Sequence, residues 1–158
     1  MEKEKKRKPI KRHEALQPFS RQHHFGLLFS WKIRKGFTKE IPLERLSRFA
    51  DWFYENEIKP HFEDEEKYLF PILEEGNELV ERALKEHRRI NRLFKDTKDP
   101  ERSLHRLEEE LQAHIRFEER VLFNEIQKVA TPEQLAKVEE IHEEHEKPAE
   151  YDDPFWEE

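Results

Sequence analysis

The 158-residue sequence predicts an all-α protein: an up-down antiparallel four-helix bundle followed by a short extra C-terminal helix. Three observations point there. Glycine is scarce, at 3 residues, while Glu, Lys, Arg and Leu are abundant, a composition that suits helices rather than a sandwich or barrel. Four segments each carry apolar residues at the three-and-four spacing of one helix face. The connections between them are short, which makes successive helices antiparallel neighbours. Charged residues reach 42%, a level that also suits disorder, but 12 Phe and 3 Trp supply enough large apolar side chains for a core.

The elements follow in order. Residues 1–17 read as a basic, flexible tail opening with MEKEKKRKPIKR. The first helix is expected from about Pro18 to Lys35, with Ser20 as N-cap, Gly36 as its stop, and a stripe of His24, Leu27, Leu28 and Trp31. The second starts at Pro42 and runs to about Glu75, where Gly76 ends it. Its stripe is Phe49, Phe53, His61, Glu65, Leu69 and Leu73, and Pro60 predicts a kink or break. The third starts at Asn77, ends near Thr97 and carries Val80, Ala83, His87, Ile90 and Phe94. Asp99-Pro100 reads as cap and first turn of the fourth, which runs to about Ala130 with Leu104, Leu107, Leu111, His114, Glu118 and Leu122. Residues 18–130 are thus the bundle. Residues 131–158 hold a short helix, started by Thr131-Pro132-Glu133-Gln134 and reaching about Glu146, and a tail whose Phe155 and Trp156 dock on the bundle or on a partner.

Composition removes several kinds of chemistry. Without cysteine there are no disulfides, thiolate zinc sites or iron–sulfur ligands, so any metal is held by nitrogen and oxygen. No apolar run approaches the roughly 20 residues of a membrane span. The basic N-terminus lacks the apolar segment of a signal peptide, so a cytoplasmic protein that does not act on membranes is expected. A net charge of -7 gives no global attraction to nucleic acid, which is not an expected partner.

Each stripe contains a histidine, and two also contain a glutamate. Burying such groups is costly unless they are paired or bind metal, and four inward faces need a shared partner. In HFEDEEKYLF, His61 and Glu65 are four residues apart, as are His114 and Glu118 in HIRFEERVLF. At ~1.5 Å rise per residue this is about 6 Å along one face, so the histidine can end a ligand set while the carboxylate reaches its middle. Two such carboxylates can bridge two metals roughly 3.5–4 Å apart. The segments also read as copies: Glu66 matches Glu119, and Leu69-Phe70 matches Leu122-Phe123. The preceding QHHFGLLF and KEHRRINRLF supply one histidine each, giving two hairpins and a pseudo-twofold site. A lone His-xxx-Glu pair is ordinarily a surface ion pair; the repetition on apolar stripes argues otherwise. The stripe and the alignment with His87 favour His24 over His23. His13, His105, His142 and His145 lie off the stripes or in charged stretches and read as solvated. If the metal is removed, Glu65 and Glu118 are expected to repel, so that one takes up a proton.

The pattern resembles the hemerythrin-like, or HHE cation-binding, domain family over about Pro18 to Lys128, with HFEDEEKYLFP matching the family's second helix and HIRFEERVLF its fourth. The resemblance implies a non-haem site of two iron ions (Fe2+/Fe3+) bridged by carboxylates, and by oxo or hydroxo when oxidised. Its ligands by position are His24, His61, Glu65, His87, His114 and Glu118, with His23, Asn91 and Glu119 standing behind them. The invertebrate oxygen carriers have a histidine where Asn91 stands and an aspartate at the position of Glu119. The four-His, two-Glu set is nearer the bacterial branch, implicated in nitric-oxide stress and iron-cluster repair. The implied function is binding of O2, NO or peroxide for sensing, storage or stress response. The alternative is enzyme-like turnover of peroxide or nitric oxide, or iron donation in iron–sulfur cluster repair. A protein partner is left open.

Overall fold

The computed structural model describes residues 11–141 and 150–158, all helical or connecting. Helix α1 spans Gln17–Thr38. Helix α2 is a continuous helical run over residues 43–72 that changes pitch along its length. Helix α3 spans Glu78–Lys95, α4 residues 100–129, and the short α5 Pro132–Ile141. No described helix is long and apolar enough to cross a membrane.

Paired contacts fix the antiparallel order. Along α1 and α4, Ser20 meets Glu119, Arg34 meets Glu108 and Phe37 stacks on His105, so one number rises as the other falls. Between α3 and α4, Glu86 meets His114 and Arg89 meets Glu110. Gln22 with His61 and Phe29 with Phe53 pair α1 with α2, and Glu66 with His87 and Tyr54 with Phe94 pair α2 with α3.

The start signals act as expected after the first helix. Asn77 Oδ1 accepts from the N–H groups of Leu79 and Val80, and Asp99 Oδ1 from that of Arg102. Thr131 and Gln134 bond reciprocally as a capping box at the start of α5. Pro60 does not break α2: a π-turn over Tyr54–Ile58 precedes it, with the Lys59 N–H bonded to the Tyr54 carbonyl, and the helix continues. The second helix ends at Ile72 rather than Glu75, just after Pro71.

Helix α1 departs most from expectation. Ser20 is not its cap but a donor to Glu119 (2.7 Å). Gly36 is not its stop: the helix passes through it, and the position is glycine because Leu46 and Phe155 press so close that a Cβ there would collide with both. Residues 14–16 are not flexible tail but a single 3-10 turn, capped by His13 Nδ1, that buries Ala15 and Leu16 completely. The tail aromatics dock on the bundle. Phe155 is fully buried against Phe49, Lys32 lies 3.9 Å from the Trp156 ring centroid, and Arg45 holds Asp153 and Glu158.

The core is two apolar clusters. One gathers Phe29, Phe49, Phe53, Phe94, Leu107 and Leu111; the other gathers Leu16, Phe19, Leu69, Phe70, Leu122 and Phe123. Each of the four long helices crosses from one to the other, and on each the crossing is a buried histidine: His23, His61, His87 and His114. Full burial of each large apolar side chain contributes roughly 1.5–3 kcal/mol. The two clusters therefore clamp a polar layer between them.

Candidate metal centre

Glu65 on α2 and Glu118 on α4 lie at the middle of that layer, both fully buried. Each opens a π-turn, Glu65–Leu69 and Glu118–Leu122, in which its carbonyl accepts from the N–H five residues on. In an ideal α-helix repeated steps of four overshoot a single face. The wider turn takes up the surplus and keeps His61, Glu65 and Leu69, and likewise His114, Glu118 and Leu122, turned inward.

Four imidazole Nε2 atoms surround these carboxylates. His61 Nε2 is 2.9 Å from Glu65 Oε2, His87 Nε2 3.1 Å from Glu65 Oε1, His114 Nε2 3.0 Å from Glu118 Oε2 and His23 Nε2 2.8 Å from Glu118 Oε1. The Nδ1 atoms point outward. His23 Nδ1–H donates to Glu119 (2.6 Å), His87 Nδ1–H to Glu66 (2.7 Å), His114 Nδ1–H to Glu86 (2.7 Å) and His61 Nδ1–H to the Gln22 amide oxygen. An ionised carboxylate only accepts, so each outer nitrogen keeps its proton, and an inner nitrogen that gives up its own would present a lone pair to the centre.

Two ligand-sized groups result, each with its donor atoms within 4.8 Å of one another: His23, His61, Glu65 and Glu118, and His87, His114, Glu65 and Glu118. Both glutamates belong to both groups. The Nε2 atoms of His61, His87 and His114, both Glu65 oxygens and Glu118 Oε2 are buried without a hydrogen bond. Buried polar atoms are seldom left so. Imidazole nitrogens and carboxylate oxygens converging on one volume fit metal cations.

The electrostatics agree. Burial disfavours ionised Glu118, yet the charge of His114 and the polar contacts with Glu65, His114 and His23 outweigh it and hold the carboxyl well below the usual range. Burial and Glu118 push Glu65 up, and His61 and His23 bring it below its ordinary value. Burial also works against charged His23 and His87, but the closeness of Glu118, Glu65 and their outer carboxylates raises both well above the ordinary value. His114 rises for the same reason, after burial, through Glu118 and Glu86. Without metal these directions favour charged imidazoles at His23, His87 and His114 beside ionised carboxylates, while Glu118 pushes Glu65 up as two close carboxylates repel.

The structure also corrects the first helix. His24 is exposed, as are Leu27 and Trp31 (37% and 42%), and His23 turns inward. The true stripe is Phe19, His23, Gly26, Ser30 and Ile33, which looks weak because α1 and α4 approach closely. A Cβ on Gly26 would lie 2.6 Å from Ile115 Cδ1. The small residues that permit this approach were the available signal. Of the residues expected behind the ligands, Glu119 does bond His23, whereas Asn91 Oδ1 is buried with no partner. Gln22, Glu66 and Glu86 were not foreseen in that role, although the repeat had paired Glu66 with Glu119. His105 is exposed against Phe37, His13 caps the first turn, and His142 and His145 lie outside the described residues.

The fold and this His/Glu layer define a helical-bundle cation-binding class. The chain belongs to the hemerythrin family: the hemerythrin HHE cation binding domain matches residues 19–102, slightly more than half of the chain. That stretch ends before His114 and Glu118, which the repeated sequence pattern and the folded structure join to the others. No curated protein and no solved structure matches the chain.

Proposed function

We propose that this protein is a non-haem di-iron protein whose carboxylate-bridged centre binds a small ligand, O2, NO or peroxide, for sensing, storage or stress response. The single observation that carries this reading is the sharing of both buried glutamates between two four-residue groups. His23 and His61 would hold one iron, His87 and His114 the other, and Glu65 and Glu118 would bridge them. Imidazole and carboxylate donors without thiolate suit iron. Bound as a pair, two ferrous ions supply two electrons to a small oxidant.

The chain's own residues orient and isolate the centre. His87 stacks on Phe62 at 3.7 Å between ring centroids and His23 on Phe123 at 5.1 Å, which fixes both rings between apolar faces. The outer carboxylates hold the tautomer, and the apolar clusters on either side exclude water. Anaerobic ferrous protein titrated with NO, O2 and peroxide should change its optical spectrum at about one ligand per pair of irons. Reversal when NO or O2 is removed indicates binding, and continued consumption of ligand indicates turnover. No spectral response to any of the three would overturn the proposal.

A further inference from the structure

The layer is pseudo-twofold in its histidines and central carboxylates, and among the outer partners of the imidazoles one residue breaks it. His23 in α1 corresponds to His87 in α3, and His61 in α2 to His114 in α4. Their outer partners correspond as well: His23 bonds Glu119 where His87 bonds Glu66, each glutamate being the neighbour of a central carboxylate. His61 bonds the residue just before His23, and His114 the residue just before His87. The first is Gln22, a neutral amide; the second is Glu86, a carboxylate. Three of the four imidazoles therefore give their Nδ1–H to an anion, and His61 gives its own to an amide.

An imidazole whose outer N–H is bonded to a carboxylate is a stronger donor through its other nitrogen than one bonded to an amide. On the half with the amide, Glu119 also accepts from Ser20 and lies against Arg12, whose guanidinium donates to the Glu119 carbonyl at 2.8 Å. On the other half, Glu86 shares its charge with Arg82 (2.9 Å). Each half thus has one arginine at an outer carboxylate, whereas the Gln22 amide stands where the other half has a carboxylate.

Resting on the di-iron reading, we infer that Gln22 makes the two metal positions unequal, the one held by His23 and His61 releasing its ion faster than the one held by His87 and His114. Gln22 is a positioning residue that acts through His61 and touches no metal itself.

The test uses the full chain loaded anaerobically with ferrous iron and mixed with excess ferrous chelator, iron release being followed by absorbance. The expected wild-type result is two phases, each of about one ion per chain. Gln22→Glu restores the missing anion and should slow the fast phase by about 10- to 100-fold, leaving the slow phase unchanged. Glu66→Gln removes an anion from the other half and should speed the slow phase instead, so the inference stands testable even if one variant does not fold. A single wild-type phase, or a Gln22→Glu change that slows both phases alike, would overturn it while leaving a two-iron centre in place. A wild-type chain that takes up fewer than two ions would overturn the di-iron reading itself.

Discussion

Replacing His23 and His24 separately by alanine distinguishes a stripe read from large apolar residues from one set by close helix packing. In the metal-free chain His23 makes two charge-assisted hydrogen bonds, to Glu118 at 2.8 Å and to Glu119 at 2.6 Å. At ~1.5–3 kcal/mol for each such bond, removing both costs about 3–6 kcal/mol. Ser20 remains bonded to Glu119 and keeps the loss toward the lower half of that range. In a chain of this length each kcal/mol lowers the melting temperature by roughly 2–4 °C, so His23→Ala should melt about 6–18 °C below wild type. His24 is exposed, and its replacement should stay within ~0.5 kcal/mol of wild type. Circular-dichroism melts of chelator-treated protein read the first effect, and iron content after expression with iron reads the second. His23→Ala should fail on both and His24→Ala on neither. A His24→Ala variant that loses iron while His23→Ala keeps it would refute the packing argument.

Glu65 and Glu118 each serve both ligand groups, so Glu118→Ala should lower iron content toward zero rather than to half; retention of one tightly held ion would contradict the bridging role. Phe155→Ala should cost about 3–5 kcal/mol, read as a lower urea midpoint, because that ring is fully buried against the bundle; an unchanged midpoint would show the tail to be peripheral. Metal-free protein should be most stable between about pH 4.5 and 6.5. The raised histidines contribute fully below their ordinary value of 6.5 and lose that contribution as pH rises through their folded values. The depressed carboxylates contribute above their ordinary 4.5 and lose it as pH falls through their lowered values. Melts of chelator-treated protein at about pH 5.5 and about pH 8.5 check this, and a higher melting temperature at the alkaline end would refute it.

Much of this was legible in the sequence because the signals were local. Asn77, Asp99 and Thr131 cap helices through bonds reaching two or three residues ahead. The stripes of α2, α3 and α4 carry large residues at their inward positions, so His61, Glu65, His87, His114 and Glu118 could be placed by periodicity alone. Helix α1 could not. Its inward face is partly glycine and serine, Gly26 lying where Ile115 leaves no room for a Cβ, while Leu27 and Trp31 decorate its outside. The role of Gly36 likewise depends on Phe155, more than a hundred residues away. Gln22, Glu66 and Glu86 gain their roles only from partners on other helices, which no spacing along one helix reveals.

The most direct test is the iron-to-chain ratio of protein purified from iron-supplied cells, measured by elemental analysis against quantitative protein concentration. Two buried carboxylates shared by two pairs of histidines call for about two iron ions per chain. One ion per chain, or zinc alone despite abundant iron, would contradict the two-iron centre.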